Sequence, residues 1–433
     1  MTSRIHQRIG MLVPFAVWLA GEGEAWAIQP LEDFLRAGRA ANFDARDART
    51  TAEQRGHEAD AALGRLLPSV SAVAGYTRNQ VEVSVSRPGS NGQVESAIIS
   101  PLDQVDATFT LRVPLVDVGA WRRLGAAREA EGSARFRIAA TENDTDAEVA
   151  RLYYTLVGAT WLRDAGEKSL KASEKNLEIV DLRRKAERAL ETDVLRARVE
   201  VERARLRVAD AERQVRSASR ALRTATGLEA TPGAPDMPPM PGAAPSPSAD
   251  ALAARVLATP AVRAAEAEVA AAEKTRAAAW SALLPTVGAS ATERLTNATG
   301  FAGRNALYNV QLSATWNLDY TTVTQARAAE SAAALAKSRA ERARRLQHDQ
   351  AADAADRVAS ERVRLEAAVA EERAAEAVVA AFRERLAAGT AALHEVVQAE
   401  RDAFSATASR IQAGADLAYA RVLLEAKTKA VEP

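Results

Sequence analysis

The residues that could do chemistry are few and badly spaced for it. The four histidines, His6, His57, His348 and His394, are scattered, and no pair has the spacing that brings two imidazoles to one metal ion. Cysteine is absent, which removes thiolate ligands, a thiol nucleophile, disulfides and the cleavage-site Cys that a lipid-anchored N-terminus needs. Beyond the first 27 residues, methionine occurs only at Met237 and Met240, inside a proline-rich stretch, so no methionine path for a soft metal exists. The glycines of GEGEA (Gly21–Ala25) lack a following strand–helix unit, and no glycine-rich loop ends in the lysine that a phosphate site uses. The sequence therefore predicts no enzyme, no cofactor and no metal centre. Basic and acidic residues balance at 57 each, which argues against nucleic acid as a partner.

What remains is long elements rather than a reacting cluster. Arg4 and Arg8, the apolar run Ile9–Ala20 and the small-x-small triplet Ala25-Trp26-Ala27 predict a cleaved secretory signal over residues 1–27. No later segment is apolar enough for a membrane-spanning helix, so any crossing must use strands. Proline then divides the chain. None occurs from Leu115 to Thr231 or from Thr286 to Glu432, whereas Pro232 to Pro247 is dense with it. Proline removes a backbone donor and clashes with the preceding helical turn, so the dense stretch reads as an extended linker. The expected organisation is a signal at 1–27, a first repeat at 28–227, a linker at 228–248 and a second repeat at 249–433.

The repeats announce themselves by motif. GRLLPSVSAV (Gly64–Val73) answers SALLPTVGAS (Ser281–Ser290), and LRVPLVD (Leu111–Asp117) answers SATWNLD (Ser313–Asp319) at an offset of 202. The same offset pairs Glu191–Arg205 with Leu393–Thr407, while the LLP motifs lie 217 apart, so the loop after the first strand is about 15 residues longer in the first half. Around these motifs apolar and polar residues alternate strictly, over Val105–Leu115 and Tyr308–Leu318. Period-two alternation of that length gives one apolar and one wet face, as a transmembrane barrel strand requires. Partner strands are expected at about Ser69–Thr77 and Thr286–Leu295. Phe109, Leu111, Val113, Val310, Leu312 and Trp316 would then face lipid. Four strands cannot close a barrel, and lipid does not tolerate open edges, so a spanning chain must oligomerise. Three copies would supply about twelve strands.

The helical tracts carry a heptad seam. Val194, Val201, Val208, Val215 and Leu222 recur every seven residues, each followed three positions later by alanine, from Ala197 to Ala225. The alanine series returns at Ala399, Ala406, Ala413 and Ala420. Leu124–Lys185 would form about 62 residues of helix, roughly 90 Å if unbroken, with breaks expected near Gly158 or Gly166. Turns are expected at Glu187–Glu191 and at Ala388-Gly389-Thr390, where Gly389 suits a helix end needing positive φ.

The order of these parts, with the paired LLPSV and LLPTV motifs, the strand ends VPLVDVG and TWNLD, and the Leu-Ala-Ala-Gly-Thr turn before HEVVQAE, resembles the outer-membrane efflux protein (TolC) family over nearly the whole chain. The resemblance implies a mainly α fold with a small β contribution. Duplicated long helical hairpins would build an α-barrel across the periplasm, and four strands per chain a trimeric twelve-stranded barrel in the outer membrane. It further implies a homotrimer that docks a periplasmic adaptor and an inner-membrane transporter, conducting substrate outward. A type I protein-secretion channel is the neighbouring alternative. A soluble periplasmic coiled-coil scaffold is the alternative from a different class, though it gives the alternating strands no task. Carried over by position, the family's acidic ring after the hairpin turn falls on Glu395 and Gln398, of which only Glu395 keeps a carboxylate. The repeat sets Asp193 opposite Glu395, and such a ring would favour cations if it faced the pore. The competing reading is that both acids simply suit a helix start. Glu187 stands where the second half has Gly389, so the first turn is expected to differ in shape; Thr390 completes the second.

Overall fold

The computed structural model describes residues 28–88, 94–231, 248–388 and 390–431. The expected signal at 1–27, most of the expected linker and Gly389 lie outside them. Two short helices, α1 (Leu31–Ala41) and α2 (Phe43–Gly64), lead into β1 (Ser69–Arg78). A hairpin of β2 (Val83–Pro88) and β3 (Val94–Ser100) precedes β4 (Asp103–Val116). Then come α3 (Val118–Lys185) and α4 (Glu191–Thr226). The second half repeats the plan with α5 (Ala249–Leu257), α6 (Pro260–Ser281), β5 (Thr286–Thr296), β6 (Ala306–Thr315), α7 (Tyr320–Ala387) and α8 (Leu393–Thr428). Among the described residues no helix is long and apolar enough to cross a membrane. The fold is mainly helical, with antiparallel sheet.

The duplication is exact in length where the helices are long. α3 and α7 are both 68 residues and α4 and α8 both 36. The same caps start them. Asp117 Oδ1 accepts the Ala120 N–H and Asp319 Oδ1 the Thr322 N–H, each at 2.7 Å. At 1.5 Å per residue the 68-residue helices run roughly 100 Å.

The breaks expected at Gly158 and Gly166 do not occur, because α3 is continuous through both. The glycines serve close approach instead. A Cβ on Gly158 would stand 3.4 Å from Ala415 Cβ, and one on Gly166 would stand 3.4 Å from Val208 Cγ2. Tertiary packing on both sides holds the helix through residues of poor propensity.

α3 lies at the centre of the helical slab. It packs on α4 and α8, with α7 on the far side of α8; nearer the sheet, α2 and α6 take the places of α4 and α8. The heptad seam of α4 is buried against α3 at Val194, Ala197, Val201, Ala204, Ala211, Ala218 and Leu222. The alanines let the helices approach closely, and the larger residues fill the space between them. Where α1 crosses α3 and α4, Phe34 is fully buried among Val149, Tyr153, Leu156, Val157 and Leu222.

The sheet is antiparallel, ordered β1-β4-β5-β6, so the two repeats join at the β4–β5 pairing. Its outer strands, β1 and β6, each have one unpaired edge. β2 and β3 form a separate two-stranded sheet within the longer loop of the first repeat, beside a short turn at Gly300–Ala302. That hairpin was not among the expected elements.

Candidate pore and gate

Strand β4 inverts the burial expected in a water-soluble sheet. In β4 the apolar positions Val105, Phe109, Leu111 and Leu115 are exposed, while Asp106, Thr108 and Thr110 between them are half-buried. On the polar face Arg294 bonds Asp106 Oδ1 through Nε and Nη2 at 2.9 and 2.6 Å, and the Thr110 and Thr292 hydroxyls meet at 3.4 Å. Val310 and Leu312 on β6 are more than 70% exposed. Val113 is half-buried beside the strand bulge near Pro114. Trp316, expected inside the last strand, falls just beyond the end of β6 at Thr315. Its indole N–H donates to the Leu283 carbonyl at 2.8 Å, which draws the chain toward the LLP corner and off the ladder. The nine residues from Tyr308 to Trp316 span about 27 Å of extended chain, or about 20 Å of rise at the tilt of a membrane-barrel strand, most of the height of its apolar band. Both aromatic ends are exposed.

At the opposite end of the helices the two hairpin turns are built alike. The Arg188 N–H donates to the Arg183 carbonyl and the Thr390 N–H to the Arg385 carbonyl, both at 2.8 Å. The Ala186 N–H reaches Leu182 O at 3.1 Å, and the Ala388 N–H reaches Glu384 O at 2.9 Å. These are the paired bonds of a helix end that needs a left-handed residue. Glu187 supplies it with φ 62°, the only positive φ outside glycine among the described residues. The hydrogen bonds of the first turn thus impose the left-handed conformation on a glutamate, while Gly389, its counterpart in the second, lies outside the described residues. The Thr390 hydroxyl adds a bond to Arg385 O at 3.2 Å.

Asp193 and Glu395 occupy the third position of their helices. The Leu190 N–H donates to Asp193 Oδ2 at 3.3 Å, and the Ala392 N–H donates to Glu395 Oε2 at 2.7 Å. Each carboxylate satisfies an otherwise orphaned donor and sits in the favourable field of a helix N-terminus. The helix-start reading therefore has direct geometric support. Gln398 donates to Asp402 Oδ1 at 2.9 Å, so a carboxylate stands one turn further along from the amide.

A polar cluster that sequence reasoning missed lies about ten residues from the turns. Glu200, 5% exposed, accepts from Arg401 Nε at 2.8 Å and also from its Nη2, joining α4 to α8 across α3. Arg203 and Arg207 stand 3.7 and 3.6 Å from the same carboxylate, and Arg207 stacks on Phe404. Burial pushes the Glu200 carboxyl up, but Arg401, Arg207 and Arg203 outweigh it and hold the group below its ordinary value. Beside it, Glu400 accepts from Asn176 Nδ2 at 2.7 Å and from Arg383 Nη2 at 2.6 Å, tying α8 to α3 and α7. The available signal was a glutamate immediately preceding a buried heptad valine, Val201.

Comparison with known proteins follows the same lines. The family model described as outer membrane efflux protein matches residues 35–228 and 255–428. Among solved structures, the outer-membrane channel OprN aligns with TM-score 0.76 at 20% identity, over 93% of this chain and 90% of that one. The CmeC outer membrane channel of Campylobacter jejuni aligns with TM-score 0.75 at 14% identity, over 95% and 90%. The MtrE outer membrane channel of Neisseria gonorrhoeae, in its open state, aligns with TM-score 0.72 at 18% identity, over 93% and 89%. No curated protein matches by sequence.

Proposed function

This chain belongs to the outer membrane efflux protein family, a family of channels rather than enzymes, and on that premise we propose that it is the exit duct of a tripartite efflux pump. Three copies close a twelve-stranded barrel in the outer membrane and a helical barrel beneath it in the periplasm. A periplasmic adaptor and an inner-membrane transporter deliver substrate to the helical end, and the duct conducts it passively.

The alternation of β4 and β6 and the open edges of the sheet carry this reading. Apolar side chains from Val105 to Leu115 and from Tyr308 to Leu312 point away from a polar face, and β1 and β6 end in unpaired edges. Lipid favours the first arrangement, and only pairing with further copies removes the second. Near the helical end, Asp193 and Glu395 would add up to six carboxylates in a trimer if they border the lumen, giving a preference for cations.

Fractionation tests the proposal. Expressed with its export signal, the protein should appear as a heat-dissociable trimer released from outer membranes only by detergent. It should restore drug resistance to a strain whose own duct has been deleted. Recovery as a soluble periplasmic protein would overturn the reading and favour a coiled-coil scaffold.

A further inference from the structure

The polar face of the sheet carries one charge that nothing within the chain answers. The ladder places Asp106, Arg112 and Arg294 on that face, and the other positions there are uncharged. Arg294 and Asp106 neutralise one another at the end of the strands where β1 leaves for β2. Arg112 lies toward the other end, just before the bulge that follows Pro114. Its exposed guanidinium makes no ion pair or hydrogen bond with any described residue.

A second unpaired arginine stands beside it. α2 ends at Gly64, and Arg65 closes the helix at its C-terminus, where the helix dipole favours a cation but takes up none of its donors. Ser69, the first residue of β1, is the ladder partner of Arg112. Both arginines line a cleft of about 560 Å³ at the corner where the helices meet the sheet. The rest of its polar lining is hydroxyl, from Ser69, Thr286, Ser313 and Thr315, with a single acid, Asp117. That carboxylate is already engaged, accepting the Ala120 N–H at 2.7 Å and lying 3.6 Å from Arg123.

The cleft therefore holds an excess of positive charge, with two sets of forked donors free. Arginine keeps its proton at any pH a protein meets, so the charge is permanent. A guanidinium fork matches the paired oxygens of a carboxylate, phosphate or sulfonate, and the hydroxyls can donate to the oxygens left over. A cleft of this volume takes a whole small organic anion rather than a lone halide.

We propose that Arg65 and Arg112 form an anion-binding station on the wall of the duct, where the helical barrel opens into the strand barrel, and that it receives organic anions bearing carboxylate, phosphate or sulfonate groups in transit. The proposal rests on the channel reading, which makes the polar face of the sheet the lumen wall, and deepens it by naming a class of substrate. A trimer would carry six arginines at this level, and rings of arginine draw anions into a pore. Binding must stay weak enough for release, which suits two exposed arginines in contact with water. The station lies roughly 100 Å of helix away from Asp193 and Glu395, so the tube carries opposite charge at its two ends.

Single-channel recording of the full-length protein in planar bilayers tests this. Inorganic tripolyphosphate, added on the side of the strand barrel, should block the wild type in a voltage-dependent way. Arg112→Ser should raise the blocking concentration about tenfold, and Arg65→Ser combined with Arg112→Ser should abolish the block. The double variant should also shift the reversal potential in a potassium chloride gradient toward cations. Arg112→Lys keeps the charge but not the fork, so it should retain the ion selectivity while weakening the block. Titration calorimetry of the solubilised protein with tripolyphosphate reads the same site without current, and its heat should vanish in the double variant. Block and heat that are absent from the wild type, or equal in the double variant, would overturn the station and leave the channel standing. A protein that stays soluble and never enters the outer membrane would remove the lumen and the station with it.

Discussion

Arg401 reaches across α3 to place Nε and Nη2 on the Glu200 carboxylate, so one ion pair ties the returning limb of the first hairpin to that of the second. Its partner position in the repeat does not reproduce it, since Asp402 stands where the duplication would put the buried glutamate, and bonds Gln398. Arg401→Met should destabilise the helical region by about 1–3 kcal/mol. This is less than breaking an isolated buried pair, because Arg203 and Arg207 remain beside Glu200. Chemical denaturation followed by circular dichroism measures the loss.

The same group gives a pH dependence. Glu200 is held below its ordinary value of 4.5, so the folded state binds its proton more weakly than the unfolded chain does. Its contribution is complete above about pH 4.5 and is lost as pH falls through the folded value. Glu200→Gln should flatten the decline in stability below pH 4.5. A wild-type-like acid limb in that variant would contradict the assignment.

Glu187 is the position where a change should help. A left-handed conformation costs a residue with a Cβ about 1 kcal/mol, which glycine does not pay. With φ 62° at Glu187, Glu187→Gly should raise stability by about 0.5–1 kcal/mol, offset in part by the greater freedom of the unfolded chain. Thermal melting of the solubilised protein is the readout.

Glu395 separates capping from conduction. Glu395→Ala removes the acceptor of the Ala392 N–H and should cost about 0.5–2 kcal/mol. Glu395→Gln keeps an acceptor and removes the charge, so its effect on stability should be smaller. If the carboxylate borders the pore, single-channel recording of Glu395→Gln should show a weaker cation preference. An unchanged preference would leave capping as its task.

Gly38 tests the packing of α1. A Cβ there would stand 2.7 Å from Val149 Cγ2, and Val149 is itself 1% exposed, so the neighbour has little room to move. Gly38→Ala should cost about 1–3 kcal/mol despite its better helix propensity. A stabilised variant would show that this crossing is looser than its geometry.

Much of the fold was legible because long repeated elements leave periodic traces. The alternation at Phe109, Leu111 and Val113 shows in the sequence because a strand has a period of two. The heptads from Val194 to Leu222 show because one face of α4 is buried along its length. Local chemistry was harder to read. Gly158 and Gly166 look like breaks until the helices touching them are known. Val83 and Val85 alternate as a strand does, but β2 lies in the stretch that lengthens the loop of the first repeat, so no counterpart in the second repeat marks it as an element. Glu200 offered only its place beside the heptad residue Val201, because the arginine that justifies its burial lies 201 residues away in the sequence.

The β2–β3 hairpin also sets the symmetry of the proposed assembly. Two helical hairpins of equal length per chain give a trimer six near-equivalent spokes at its periplasmic end. The β hairpin occurs in one repeat only, so the outward mouth of the proposed trimer would carry three projections in place of six. In that assembly a component gripping the lower end would meet a pseudo-sixfold object, while anything arriving from outside the cell would meet a strictly threefold one. Insertion in a single repeat is enough to give one tube two different rotational faces.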